Sequence, residues 1–330
     1  MTLFWAFVTL LIGFVILVKG ADLFVDGASS IAKFFKVSSL IIGLTVVAFG
    51  TSLPEAAVSI TSALSGADDV SFGNIIGSNI FNIGLILGLA ALVLPQVVHD
   101  DLIRRDFPIA LLLVVILVPF FYFFAGSSNF FILRFEAAIL LFIMIAFMYF
   151  ILKDARSMNQ INSQVEVNPL IPEVQAKYTI KQAIPITLLG MVGIVAGGIM
   201  VTNSARDIAI ELGMSEWLVG LTIVSIGTSL PELVTSVVAA MKNESEISMG
   251  NIIGSNIFNI AFILGTSALI NPIALNQSAI IDIYFLIGLT AVVFIFALST
   301  KRISRIQGLF LVLSYIGYLS YIILRDQPSV

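Results

Sequence analysis

The sequence predicts an all-α integral membrane protein of ten transmembrane helices, built as two inverted five-helix repeats with broken helices at the midplane. Three observations predict it. The 330 residues are 59% hydrophobic and only 11% charged, with a mean hydropathy of +1.09, whereas soluble domains run at about 45–50% apolar and about 25% charged. The apolar residues gather into ten stretches, each close to the roughly 20 residues a helix needs to cross a bilayer. The chain also matches itself at an offset of 177 residues, where 40–93 and 217–270 share 29 of 54 positions without a gap.

The ten stretches lie near 2–27, 38–63, 71–93, 107–124, 131–152, 181–203, 215–240, 248–270, 279–299 and 304–324. The first has no basic leader and no small-residue cleavage site, so it reads as a retained span. Orientation follows from the basic residues. Twelve fall on one side: Lys33, Lys36, Arg104, Arg105, Lys153, Arg156, Lys177, Lys181, Lys242, Lys301, Arg302 and Arg305. Arg134, Arg206 and Arg325 fall on the other, and Lys19 lies inside the first span. The expected topology in the cell membrane therefore puts both termini outside and the 153–180 loop in the cytoplasm. That loop, with Asn168-Pro169 and Pro172, is too short for a folded domain. It links a first repeat, 1–152, to a second, 181–330. Five spans per repeat is an odd number, so the two repeats enter the membrane in opposite senses. No basic tract suits nucleic acid, no obligate protein partner is evident, and cysteine is absent, which excludes disulfides and thiolate metal sites.

The most similar segments are polar. Gly50-Thr51-Ser52-Leu53-Pro54-Glu55 recurs as Gly227-Thr228-Ser229-Leu230-Pro231-Glu232, and the run Gly73 to Ile83 recurs as Gly250 to Ile260. A carboxylate at a helix centre costs on the order of 2.5–3.5 kcal/mol, so it normally faces a cavity and has a partner. No lysine or arginine lies at the depth of Glu55 and Glu232, which leaves protons or bound cations as the counter-charge. Two carboxylates match one divalent ion. Pro54 and Pro231 each remove an N–H and push back the carbonyl four residues earlier, at Gly50 and Gly227. Such carbonyls are tolerated in lipid only where they line a cavity. Thr51, Ser52, Thr228 and Ser229 add hydroxyls.

On a helix Ser78 and Asn82 share a face, as do Ser255 and Asn259. Asn74, Asn79, Asn251 and Asn256 have a plainer role open to them, joining helices by hydrogen bonds. An all-oxygen set of this kind suits Ca²⁺ better than Mg²⁺, which keeps its waters. Zinc or copper would want His or Cys, and the only histidine, His99, is expected as a solvated interfacial residue. Inverted repeats with a site at their interface are a common secondary-transporter architecture. No nucleophile constellation, phosphate-binding loop or cofactor motif is present, so neither an enzyme nor a resident cofactor is expected. A channel would usually assemble parallel subunits, and an intramembrane aspartyl protease would need aspartates.

With both motifs in both halves, the chain resembles the cation/calcium antiporter superfamily and, within it, the prokaryotic sodium/calcium exchangers. The resemblance implies that Glu55 and Glu232 are central ligands shared by Ca²⁺ and Na⁺, both of them substrates. It places Thr51, Ser52, Thr228 and Ser229 at sodium sites. Ser78 and Ser255, with the backbone carbonyls of Ala48 and Ser225, would surround the cluster, and Asn82 and Asn259 would complete it. It further implies alternating access, with the first and sixth spans sliding over the other eight. Some family members carry aspartate where Asn259 stands, and animal members carry a calcium-sensing domain that the 153–180 loop has no room for. The alternative is a proton/calcium antiporter whose glutamates carry protons; the flanking hydroxyls favour sodium, because protons need no coordination shell. Asp22 and Asp26 at one end, and Asp68 and Asp69 at the other, are either cation funnels or simply solvated acids.

Overall fold

Lipid offers no hydrogen-bond partner to the backbone, so long apolar runs satisfy themselves as helix. The computed structural model describes residues 3–123, 130–164, 176–213, 225–275 and 279–325. Among them, eight helices are long and apolar enough to cross a membrane, or nine if a pair bent by 49° counts as one span. The helices are α1 Leu3–Phe34, α2 Ser39–Thr51, α3 Leu53–Leu64, α4 Asp68–Val93, α5 Leu102–Tyr122, α6 Arg134–Gln164, α7 Ile180–Glu211, α8 Ser225–Thr228, α9 Leu230–Met241, α10 Ser245–Ile270, α11 Ala279–Thr300 and α12 Arg305–Arg325. The bent pair is α2 with α3. The expected span near 215–240 begins outside the described residues; its described part is α8 and α9.

α1 and α7 run well past the expected ends at 27 and 203, each over 32 residues. Hydropathy marks where the apolar layer stops, whereas only a turn or a cap stops a helix, and none intervenes. At 1.5 Å per residue each is about 48 Å long, against a hydrocarbon layer of about 30 Å, so each tilts or projects.

Helix is not the whole fold. Two short antiparallel ribbons join the halves, β1 (Gln96–Val97) with β4 (Arg302–Ile303) and β2 (Phe130–Ile132) with β3 (Ile273–Leu275). Each forms where the chain leaves α4 or α10 extended, at Leu94 and Asn271, and strand pairing then satisfies its backbone. The same corners carry matching caps. Arg305 donates to the carbonyls of Leu92 and Val93 at 3.1 and 3.3 Å, and Arg134 to those of Leu269 and Ile270 at 3.1 and 3.2 Å. A cation there also suits the negative end of the helix dipole.

α4 and α10 form the centre of the bundle, with 78% and 83% of their apolar windows buried. Their isoleucines, among them Ile75, Ile80, Ile83, Ile252, Ile257 and Ile260, supply much of the core. α2 packs on α10, α3 on α4, and α9 on α10, while α1 and α7 pack chiefly on each other. The α3–α4 and α9–α10 turns are alike in detail. Gly66 and Asn243 both take left-handed backbone, at φ 74° and 61°. Ala67 and Glu244 reach back to the carbonyls of Ser62 and Ala239 at 2.8 and 2.9 Å, the closing bond of a Schellman cap.

Candidate functional site

The site grows from the two helix breaks. Pro54 and Pro231 stand in the first turn of α3 and α9, where a missing N–H costs nothing. The residue between the two helix segments, Ser52 or Ser229, sits at φ −84°, ψ 8° or φ −92°, ψ 6°. This turn puts Glu55 and Glu232 in the first turn of the following helices, both fully buried. Ser52 and Ser229 occupy N-cap positions yet make no side-chain cap bond. Instead Ser52 Oγ donates to Glu232 Oε1 and Ser229 Oγ to Glu55 Oε1, each at 2.8 Å. A serine cap is worth about 1 kcal/mol, so the bond to the opposite glutamate outweighs the local one.

Reciprocity runs through most of the cluster. Thr51 Oγ1 donates to Asn251 Oδ1 at 3.0 Å and Thr228 Oγ1 to Asn74 Oδ1 at 3.3 Å. Asn74 Nδ2 donates to Ser59 Oγ, and Asn251 Nδ2 to Ser236 Oγ, both at 2.9 Å. Ser229 Oγ also lies 3.0 Å from Ser78 Oγ. Asn82 and Asn259 each open a π-turn, Asn82–Ile86 and Asn259–Leu264; such turns concentrate at functional sites. The first π-turn packs on α9, which bears Glu232, and the second on α3, which bears Glu55.

The site chemistry is that of lone pairs. Glu55 Oε2, Glu232 Oε2, Asn82 Oδ1, Asn259 Oδ1 and Ser255 Oγ are buried without a hydrogen-bond partner among the described residues. No lysine or arginine pairs with either glutamate among those residues. Buried acceptors with no donor and no counter-charge suit a hard cation, which takes six to eight oxygens when it is Ca²⁺. Of the expected carbonyls, Ala48 accepts Ser52 N at 3.1 Å and lies 3.4 Å from Thr51 Oγ1; Ser225 opens α8. Gly50 and Gly227 also allow close approach: a Cβ at Gly50 would meet Met191 Cε at 2.5 Å, and one at Gly227 would collide with Thr202 Oγ1.

Ser59 and Ser236 escaped sequence reasoning. Both are identical at the 177-residue offset and lie one turn beyond the glutamates, and that was the available signal.

Three of the four peripheral acids, Asp22, Asp26 and Asp68, are engaged rather than bare, while Asp69 is exposed. Lys242 Nζ lies 2.8 Å from Asp22 Oδ1 and 2.6 Å from Asp26 Oδ1, and Ser29 Oγ donates to Glu244 Oε1 at 2.6 Å. Lys177 holds the second oxygen of Asp26, whose carboxylate keeps the Lys177 ammonium above its usual range. The end of α1 is thus tied to the α9–α10 turn. Lys242→Met is expected to speed amide exchange across residues 26–34 by about fivefold, the factor that a pair worth about 1 kcal/mol supplies; unchanged exchange would show that the tether holds nothing. At the other end, Asp68 accepts from Ala274 N at 3.0 Å and Asn271 Nδ2 at 3.3 Å. His99 is exposed, as expected, and its Nε2 also lies 3.1 Å from Glu246 Oε1.

A multi-pass helical membrane protein with a buried, oxygen-only acidic site is the arrangement expected of a cation transporter. Comparison with known proteins narrows it. The profile of the family described as sodium/calcium exchanger protein matches residues 5–153 and again 183–324. The chain belongs to that family, the prokaryotic branch of the cation/calcium antiporters. It is 37% identical to the sodium/calcium exchanger MaX1 of Methanosarcina acetivorans over 341 residues, covering 95% of this chain and 97% of that one. It is 37% identical to the inner membrane protein YrbG of Escherichia coli over 289 residues, 86% of each. The solved sodium-calcium exchanger NCX_Mj superposes with a TM-score of 0.81 at 30% identity, over 97% of this chain and 99% of that one.

Proposed function

We propose that this protein exchanges Ca²⁺ for Na⁺ across the cell membrane by alternating access, the ions competing for a site built on Glu55 and Glu232. The observation that carries this reading is the reciprocal pair of bonds from Ser52 to Glu232 and from Ser229 to Glu55. They join the two repeats at two carboxylates that no basic side chain neutralises among the described residues. The remaining ligands in this reading are Thr51, Thr228, Ser78, Ser255, Asn82, Asn259 and the carbonyls of Ala48 and Ser225. Two negative charges balance one Ca²⁺, and Na⁺ ions of similar radius use the same oxygens, so occupancy by one excludes the other.

The architecture in this reading is ten spans in two inverted repeats, 1–152 and 181–330. The double match of the family profile and the paired ribbons, caps and turns support it. The excess of lysine and arginine on one side supports termini outside and a cytoplasmic 153–180 linker, whose start, as far as Gln164, continues α6 instead of looping out. Sliding of α1 and α7 over the rest is supported by their packing chiefly on each other.

The test is ⁴⁵Ca²⁺ uptake into proteoliposomes. An outward Na⁺ gradient is expected to drive uptake and a pH gradient to be inactive. Uptake driven by the pH gradient alone would replace this reading with proton/calcium exchange, in which the two glutamates carry protons.

A further inference from the structure

Asn82 and Asn259 have an ambiguity that the glutamates lack. A carboxylate presents only acceptors, whereas an amide presents an oxygen on one edge and two N–H donors on the other. An amide turned the wrong way would aim protons at a cation. Something must fix the edge.

The hydrogen bonds supply it. Asn79 Nδ2 donates to the backbone carbonyl of Asn256 at 3.3 Å, and Asn256 Nδ2 donates to the backbone carbonyl of Asn79 at 3.4 Å. A carbonyl can only accept, so the sense of both amides is settled. Asn79 Oδ1 then faces Asn259, and that contact, at 3.0 Å, can be a hydrogen bond only if Asn259 offers Nδ2. Likewise Asn256 Oδ1 receives Asn82 Nδ2 at 3.0 Å. Asn259 Oδ1 and Asn82 Oδ1 are left over, and these are the buried oxygens without a partner. All four side chains are buried, so water does not compete for these edges.

We infer that Asn79 and Asn256 are positioning residues: anchored on each other's backbone carbonyls, they hold the amides of Asn82 and Asn259 oxygen-first and so keep the cation site free of donors. This rests on the proposed cation site and deepens it. Plain helix-joining would need the same four contacts but no particular sense. The sense is what an experiment can separate from the joining.

The experiment is a double-mutant cycle on the half-saturating Ca²⁺ concentration, in proteoliposomes driven by whichever gradient moves Ca²⁺ in the unmodified protein. Asn79→Leu keeps the volume and releases the Asn259 amide to present an unpaired or reversed polar group to the ion, so half-saturation is expected to rise about tenfold or more. Asn259→Asp alone adds a charge and sets a second acceptor against Asn79 Oδ1, so it shifts half-saturation by itself and serves as the second background of the cycle. In that background Asn79→Leu is expected to raise half-saturation by less than about threefold, since a carboxylate has no wrong edge to turn.

Equal effects of Asn259→Asp in both backgrounds would overturn the inference, as would unchanged half-saturation in Asn79→Leu. Should Asn79→Leu fail to elute as a folded monodisperse species, the mirrored cycle of Asn256→Leu with Asn82→Asp asks the same question on the other side. An unmodified protein that moves Ca²⁺ under no gradient would overturn the exchanger reading and this inference with it. Transport with no coupling between the two substitutions overturns this inference alone.

Discussion

Replacing Glu232 by Gln is expected to abolish Ca²⁺ transport while leaving the bundle folded. The substitution keeps the volume and keeps an oxygen for Ser52 Oγ, which sits 2.8 Å from Glu232 Oε1. What it removes is one of two charges. A divalent ion facing a single carboxylate carries a net positive charge into a low-dielectric interior, where an unbalanced charge costs at least several kcal/mol. Four kcal/mol corresponds to roughly a thousandfold in affinity, which puts half-saturation beyond any useful concentration. Glu55→Gln is expected to behave identically, because Ser229 holds Glu55 as Ser52 holds Glu232.

Stability separates this from misfolding. Two buried carboxylates without a counter-ion repel, so in ion-free detergent either variant is expected to melt no lower than the unmodified protein. Ca²⁺ should raise the melting temperature of the unmodified protein, since a ligand that binds only the native state stabilises it, and should raise neither variant's. Transport retained by either variant would remove these glutamates from the centre of the mechanism.

Much of this was legible in the sequence, because burial in lipid makes polarity conspicuous. Glu55, Glu232, Ser78, Ser255, Asn82 and Asn259 stand out as polar residues in apolar spans, and repetition at 177 residues marks them twice. The helix break was legible too, since Pro54 and Pro231 cannot donate. Pairing across the halves was not. Ser52 and Ser229 look locally like N-caps ahead of Leu-Pro-Glu, and only tertiary structure turns their hydroxyls to the opposite glutamate. The sense of Asn79 and Asn256 was hidden for a similar reason, because one-letter code does not say which edge of an amide faces which neighbour. The ends of α1 and α7 were misjudged because hydropathy reports the bilayer rather than the helix. The engagement of Asp22 and Asp26 depends on Lys242, more than two hundred residues away.

The second large effect is expected where α1 meets α7. The two helices run antiparallel, with Gly13, Gly20 and Gly27 facing Val201, Ile194 and Thr187 in turn. Lipid gives such helices no hydrophobic reason to associate, so close backbone packing must hold them. A Cβ at Gly190 would sit 2.5 Å from Phe24 N and 2.8 Å from Gly20 O, and one at Gly197 would sit 2.5 Å from Leu17 N. These are backbone atoms and cannot rotate away, so even alanine forces the helices apart. Overpacking of this kind typically costs about 1–3 kcal/mol, and here the separation also loosens the contacts at the neighbouring glycines. Gly190→Ala is therefore expected to lower the melting temperature in detergent and to depress Ca²⁺ uptake, with Gly190→Ala/Gly197→Ala losing both. Gly288 and Gly317 provide the controls, since nothing lies within 4 Å of a Cβ built there. Alanine at those positions gains about 1 kcal/mol of helix propensity and is expected to be neutral or stabilising. If Gly190→Ala melts with Gly288→Ala, the helices are not held at this separation, and a sliding pair in the transport cycle loses its physical basis. If Gly190→Ala folds well yet transports poorly, the seam matters for movement more than for assembly, which is the result that two helices sliding against a fixed bundle require.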